Sequence, residues 1–142
     1  MKVSARNQFE GTVRAIRSGA VNDQVELDIP GGLHIAATIT RESAVELRLQ
    51  VGIAASALVK ASSVLLATDY TGVRYSARNQ LLGSVARIAP GAVNTEVVVA
   101  VAGGHLVTAM ITNESAQSLG LQVGGEVLAM FKVSSVILAV KA

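Results

Sequence analysis

The sequence predicts an all-β protein with one short helix per repeat, arranged as two tandem five-stranded barrels. Three observations carry that expectation. The first is an internal repeat: Ser4-Ala5-Arg6-Asn7-Gln8 returns as Ser76-Ala77-Arg78-Asn79-Gln80, an offset of 72 residues. At that offset Ser4–Asp69 aligns on Ser76–Lys141 without a gap, and about half of the paired positions are identical. The second is a set of short runs that alternate apolar and polar residues, the period of a strand with one wet face. The third is a single short helical stretch between the third and fourth runs of each copy.

Taken in order, Thr12–Arg17 reads as a first strand, stopped at Ser18-Gly19. Val25–Ile29 alternates strictly, and Pro30-Gly31-Gly32 turns it. Ile35, Ala37 and Ile39 continue the alternation to Thr40. A helix follows from Glu42 to about Arg48, with Thr40 or Ser43 as cap and Gly52 beyond its end. Ala55–Ala61 and Val64–Ala67 finish the unit as two more strands. Five strands with a helix between the third and fourth is the order of an OB-type Greek-key barrel, although another five-stranded barrel or sandwich satisfies the same order. Residues 1–69 form the first module, 70–75 the linker and 76–142 the second. In the second copy Val98 and Ala100 replace the outward Glu26 and Asp28, so that face is expected to be wet in the first module and covered in the second.

Composition narrows the function. A unit of about 66 residues buries a modest fraction of its surface. With 51% apolar and only 15% charged residues, the chain has more apolar surface than two small cores hide, which predicts self-association. The net charge of +2 gives no field that draws in nucleic acid or membrane. The absence of Cys removes disulfides, thiolate metal sites and Cys nucleophiles. No apolar run approaches the roughly 20 residues that span a bilayer, and the first repeat begins by Ser4, so a cytoplasmic location is expected.

Two copies also show which chemistry both retain. Among basic residues only Arg6/Arg78 and Lys60/Lys132 coincide; Arg14, Arg17, Arg41, Arg48, Arg87 and Lys141 have no basic counterpart. Glu42/Glu114 is the one shared acid. Hydroxyls retained with the cations are Ser4/Ser76, Thr40/Thr112, Ser43/Ser115, Ser62/Ser134 and Ser63/Ser135. Two cations, several donors and almost no retained acceptor charge describe an anion site. Ordinary surface chemistry is the competing account, with Ser4 and Ser43 as caps, Lys60 solvated and Arg6 tied to Glu42. His34 and His105 face leucines in the opposite copy, which argues against a shared metal or general-base role. There is no G-x-x-x-x-G-K-[ST] loop and no retained Ser-His-Asp set, so neither an ATPase nor a hydrolase is expected. Phe9, Tyr70, Tyr75 and Phe131 are the only aromatics available for base stacking, and two of them lie in the linker.

SARNQ followed by G-x-V, then GAVN, Gly-Gly, A-x-I-T-x-E-S, L-Q-x-G and K-x-S-x-V closely resembles the molbindin, or Mop, family across nearly the whole chain. Two copies in one short chain resemble the tandem-Mop proteins of the ModG type. The resemblance implies an OB-like barrel and cytoplasmic binding of molybdate, with tungstate as its analogue, in storage and homeostasis. It also implies no enzymatic activity, no bare metal cation, and assembly as a homotrimer. The implied main oxyanion sites use Ser4, Arg6, Lys60 and Ser62, or Ser76, Arg78, Lys132 and Ser134, from one module. Thr40 and Ser43, or Thr112 and Ser115, come from a neighbouring module. The loops Gly19-Ala20-Val21-Asn22 and Gly91-Ala92-Val93-Asn94 are candidates for a second oxyanion site near the threefold axis. Phe9-Glu10 against Leu81-Leu82, and Arg48 in place of a Gly, depart from the pattern without touching these residues. The alternatives are a molybdate-responsive regulatory module, which requires a fused DNA-binding or ATPase domain not found in these residues, and an oligonucleotide-binding OB protein.

Overall fold

One long strand in each repeat explains the architecture of the computed structural model, which describes residues 1–142. Strand β1 (Asn7–Ser18) is longer than the Thr12–Arg17 expected, because it serves two partners. Its first half, Asn7–Thr12, pairs with β4 (Ala54–Val59), and its second half, Thr12–Ser18, pairs with β2 (Asn22–Ile29). A bulge between Val13 and Ala15 bends it from one partner to the other. Gly11 lies at the bend, where a Cβ would stand 2.2 Å from the Asp28 carbonyl oxygen, and Gly83 repeats that approach against Ala100 at 2.2 Å. No side chain fits there, which is why both copies keep glycine.

The first repeat continues through β3 (Leu33–Thr40), α1 (Arg41–Glu46), β4, a single helical turn at Ala61–Ser63 and β5 (Leu65–Ala67). The second runs β6 (Asn79–Pro90), β7 (Asn94–Ala100), β8 (Leu106–Thr112), α2 (Asn113–Ser118), β9 (Glu126–Phe131), a turn at Val133–Ser135 and β10 (Val136–Ala139). The helix is shorter than the Glu42–Arg48 expected. Thr40 caps it by accepting the Ser43 N–H at 3.1 Å, and Arg48 ends it in the left-handed conformation at φ 54°. Gly120 takes the same conformation in the second repeat without the steric cost that Arg48 carries.

The strand order corrects the expectation that β5 finishes its own unit. The two antiparallel sheets run β10-β4-β1-β2-β3 and β5-β9-β6-β7-β8. Each repeat therefore gives its last strand to the other: Val136 pairs with Val59, and Leu65 pairs with Met130. β10 also lies against β3 and β5 against β8, which curls each sheet toward closure. The turns joining β2 to β3 and β7 to β8 meet back to back, with a Cβ on Gly31 only 2.4 Å from Gly103 Cα.

The exchange joins the interiors. A single cluster of 24 buried side chains runs through both repeats, from Phe9, Leu27 and Ile35 to Val99, Phe131 and Leu138. Two small separate cores are thereby replaced by one, and each fully buried Val, Leu or Phe in it contributes roughly 1.5–3 kcal/mol. Only the ends of the linker are tied down: Tyr70 and Tyr75 pack on Ala67, Leu128 and Met130, and the Tyr70 hydroxyl donates to Glu126, while residues 71–74 are exposed. Just before it, Thr68 donates to the Leu119 carbonyl at 3.0 Å. Glu26 and Val98 are both half-buried, whereas Asp28 is exposed and Ala100 half-buried, so the contrast expected between those two faces holds at the second pair and is absent at the first. No helix is long and apolar enough to cross a membrane.

Candidate functional site

The retained cations come together through strand register. Asn7 pairs with Val59 at the end of the β1–β4 ladder, so Arg6 and Lys60 are the next residues outward on adjacent strands. Asn79 pairs with Phe131, which places Arg78 and Lys132 alike. Lys60 and Lys132 each precede a one-turn helix carrying Ser62 or Ser134. Neither lysine has a carboxylate within ion-pair distance; the only ion pairs of the site involve the arginines. Ser4, Ser62, Ser76 and Ser134 are exposed and make no side-chain hydrogen bond within the protein. Each repeat thus presents an arginine, an unpaired lysine and two free hydroxyls.

The strand exchange sets what these groups face. The turn Ala61–Ser63 packs on β8 of the other repeat, and Val133–Ser135 packs on β3. Asn7, buried at 2% exposure, locks this arrangement. Its amide donates to the Thr108 carbonyl at 2.8 Å and accepts the Thr108 N–H at 2.7 Å. Asn79 binds both backbone groups of Ala36 at 2.8 Å in the same way. These side chains act as a surrogate peptide on the free edge of the opposite sheet. The retained asparagines of SARNQ had no assigned role in the sequence; their signal was retention itself.

Both arginines also carry partners that comparing the copies does not reveal. Arg6 Nη2 donates to Glu96, and Arg87 Nη2 donates to the same carboxylate at 2.6 Å. Arg78 lies 3.7 Å from Glu26, and the Gln24 amide, turned to present its oxygen, accepts from both Arg78 Nη atoms at 2.8 Å. Glu96 aligns with Gln24 and Glu26 with Val98, so a search for acids common to both copies misses each. The tie of Arg6 is to Glu96 and not to Glu42.

Thr40, Ser43, Thr112 and Ser115 lie at the helix starts and form no hydrogen bond to the arginines or lysines. Thr40 Oγ1 donates to Ser43 Oγ at 2.8 Å, and Thr112 donates to Ser115 at 2.8 Å. The serine hydroxyl protons are therefore left to donate outward. The structure instead groups these residues with the GAVN loops. Asn22 pairs with Thr40, and the Arg41 N–H and guanidinium bind the Val21 and Gly19 carbonyls at 2.8 and 3.0 Å. Asn113 does the same to Val93 and Gly91 at 3.0 and 2.9 Å. The loops are exposed tight turns closed by Gly19 N–H to Asn22 O at 2.9 Å and Gly91 N–H to Asn94 O at 2.8 Å. The N–H groups of Ala20, Val21, Ala92 and Val93 make no backbone hydrogen bond. Along β2–β3, Gln24, the partner of Arg78, stands two register positions from Asn22 and its partner Thr40. Glu96 stands in the same relation to Asn94 and Thr112.

Comparison with known proteins identifies the fold and the family. A solved structure described as the cytoplasmic molybdate-binding protein ModG, with molybdate bound, superposes with a TM-score of 0.96 at 50% identity, covering 99% of this chain and 100% of that one. The molybdenum transport protein ModE of Herbaspirillum seropedicae is 45% identical over 99% of this chain and 52% of its own length. The molybdenum-pterin-binding protein MopA of Rhodobacter capsulatus is 44% identical over 98% of this chain and 52% of its own. The chain thus spans about half the length of these two curated relatives. The TOBE domain model matches residues 3–66 and again 75–138, the two copies of the repeat, and the chain belongs to that family as two Mop-type domains in tandem.

Proposed function

We propose that this chain is a non-catalytic, cytoplasmic binding protein for molybdate, and for tungstate as its analogue, which serves molybdenum storage and homeostasis. The observation that carries the reading is the twice-built group of arginine, unpaired lysine and free hydroxyls, in a chain 50% identical throughout to a ModG structure that holds molybdate. Ser4, Arg6, Lys60 and Ser62 form one half-shell, and Ser76, Arg78, Lys132 and Ser134 the other. Thr40 with Ser43, and Thr112 with Ser115, complete shells from a neighbouring module. Within the loops Gly19–Asn22 and Gly91–Asn94, the N–H groups of Ala20, Val21, Ala92 and Val93 supply donors for an axial site.

The chemistry favours this ligand. Molybdate at neutral pH is a tetrahedral dianion without a proton, so every oxygen accepts. A shell of donors suits it, whereas monohydrogen phosphate leaves an O–H unpaired at a cost of roughly 1–3 kcal/mol. Sulfate carries the right charge and is discriminated by size. Assembly as a homotrimer draws support from apolar residues exposed at matching positions of both repeats: Val21 and Val93 (72% and 71%), Val51 and Val123 (64% and 67%), Leu65 and Ile137 (55% and 62%).

Calorimetric titration with molybdate, sulfate, phosphate and single-stranded DNA tests the reading. Molybdate binds tightly, sulfate competes better than phosphate, and DNA gives no heat. Loss of both Lys60→Met and Lys132→Met side-chain charges weakens molybdate at least about tenfold, the worth of a charge-assisted hydrogen bond. An unchanged isotherm for that variant overturns the site. A second reading, the ligand-sensing part of a regulator, is favoured by a match to about half the length of the transcriptional regulator ModE of Yersinia pestis, 37% identical over 98% of this chain. The mass of the native polypeptide in cell extract separates the two.

A further inference from the structure

The two arginine sites are not equivalent, and the difference lies in residues outside every retained motif. Arg6 is held by a full carboxylate, Glu96, whose side chain is only 14% exposed and which also receives Arg87. Arg78 is held by a neutral amide, Gln24, with the carboxylate of Glu26 farther off at 3.7 Å. Positions 87 and 96 of the second repeat correspond to Ala15 and Gln24 of the first. The two repeats therefore differ at two contacting positions at once: the second has a carboxylate, and a second arginine to hold it.

We propose that Glu96 is an internal competitor for the oxyanion at Arg6, and that Arg87 is the positioning residue that makes this competition reversible. The inference rests on the oxyanion-binding reading of Arg6. An incoming dianion repels Glu96 and needs the Nη2 donor that Glu96 occupies. When Arg6 turns to the ligand, a nearly buried carboxylate loses one of its two guanidinium partners. A buried carboxylate stripped of all partners is costly. Arg87 spares Glu96 that state by keeping its own bond at 2.6 Å. At Arg78 the displaced partner is an uncharged amide, and no second cation is required. Each chain therefore carries one low-barrier oxyanion site, at Arg78, and one site at Arg6 whose affinity is set by the Glu96–Arg87 pair.

The test is sodium molybdate titration by calorimetry in an R78Q/K132M background, which silences the Arg78 side. Within it, E96Q tightens the remaining site about fivefold, the upper end for an ion pair whose arginine is half exposed. R87A weakens it by a similar factor. R87A/E96Q matches E96Q alone, because Arg87 acts only through the carboxylate. Q24E in the otherwise wild-type chain, made separately in case the buried substitutions disturb folding, lowers affinity at the Arg78 side. Unchanged or weaker binding in E96Q, or an R87A effect that persists in E96Q, overturns the competition. If R6Q abolishes the remaining site while E96Q is silent, the site reading stands and only the competition fails. If R6Q leaves molybdate binding intact, Arg6 is no ligand and both fall.

Discussion

Asn7 and Asn79 illustrate how much a single side chain carries. Each spends its amide on both backbone groups of one residue in the opposite repeat, Thr108 or Ala36. Replacing Asn7 with Ala strands the part-buried N–H and carbonyl of Thr108, and is expected to cost about 1–2 kcal/mol in denaturant unfolding; a cost below half of that would show the contact to be incidental. Tyr70 offers a titration. Its hydrogen bond to the Glu126 carboxylate, then desolvation and the charge of Glu126, pushes the phenol up to about 12 from an ordinary 10.0. The folded state thus holds the proton more tightly than the unfolded one. The stabilising contribution is complete below about pH 10 and is lost as pH rises toward 12. Phenolate absorbance is expected to show one of the two tyrosines titrating late, and Y70F removes that late phase.

At the scale of elements, the exchange of β5 and β10 makes neither repeat self-sufficient. A fragment covering residues 1–72 retains the β4 edge but lacks the strand that covers it. It is expected to fold only as a dimer, each copy lending its β5 to the other; a folded monomer in analytical ultracentrifugation contradicts this. The pattern of strands was legible in the sequence because alternation and turn residues are local. The partner of β5 was not, since Leu65–Ala67 has the same apolar edge to offer either sheet. The first half of β1 was missed because Asn7, Gln8, Glu10 and Gly11 lack strand propensity and are held extended by β4. The site was legible in the same measure. Arg6, Lys60 and their counterparts stood out by retention, whereas Glu96, Gln24 and Arg87 differ between copies and become visible only when the two halves are seen in contact.

For the whole molecule, one continuous core predicts one calorimetric transition, with no separate melting of the two repeats. Molybdate is expected to raise its midpoint, by about 2.7 kcal/mol of stabilisation at a hundredfold excess over Kd. Whether shells close within a chain or between chains is answered by refolding two variants together. One has Arg6, Lys60, Arg78 and Lys132 neutralised; the other lacks the hydroxyls of Thr40, Ser43, Thr112 and Ser115. Sites shared between subunits reappear in the mixed oligomers, as counted by native mass spectrometry. Mixed oligomers that bind no molybdate assign every shell to a single chain.

The borrowed strand also fixes a timetable. A ribosome releases β4 about 80 residues before β10, the strand that covers its edge. At 5–20 residues per second that interval is about 4–16 s. Throughout it the nascent chain displays an unpaired edge whose nearest available mate is its own β5. Pairing there builds a locally satisfied hairpin arrangement that must come apart before the second half docks. Synonymous codons that slow translation between Ala67 and Val136 lengthen the life of that competitor, so the yield of correctly interlocked protein depends on the pace of synthesis as well as on the sequence.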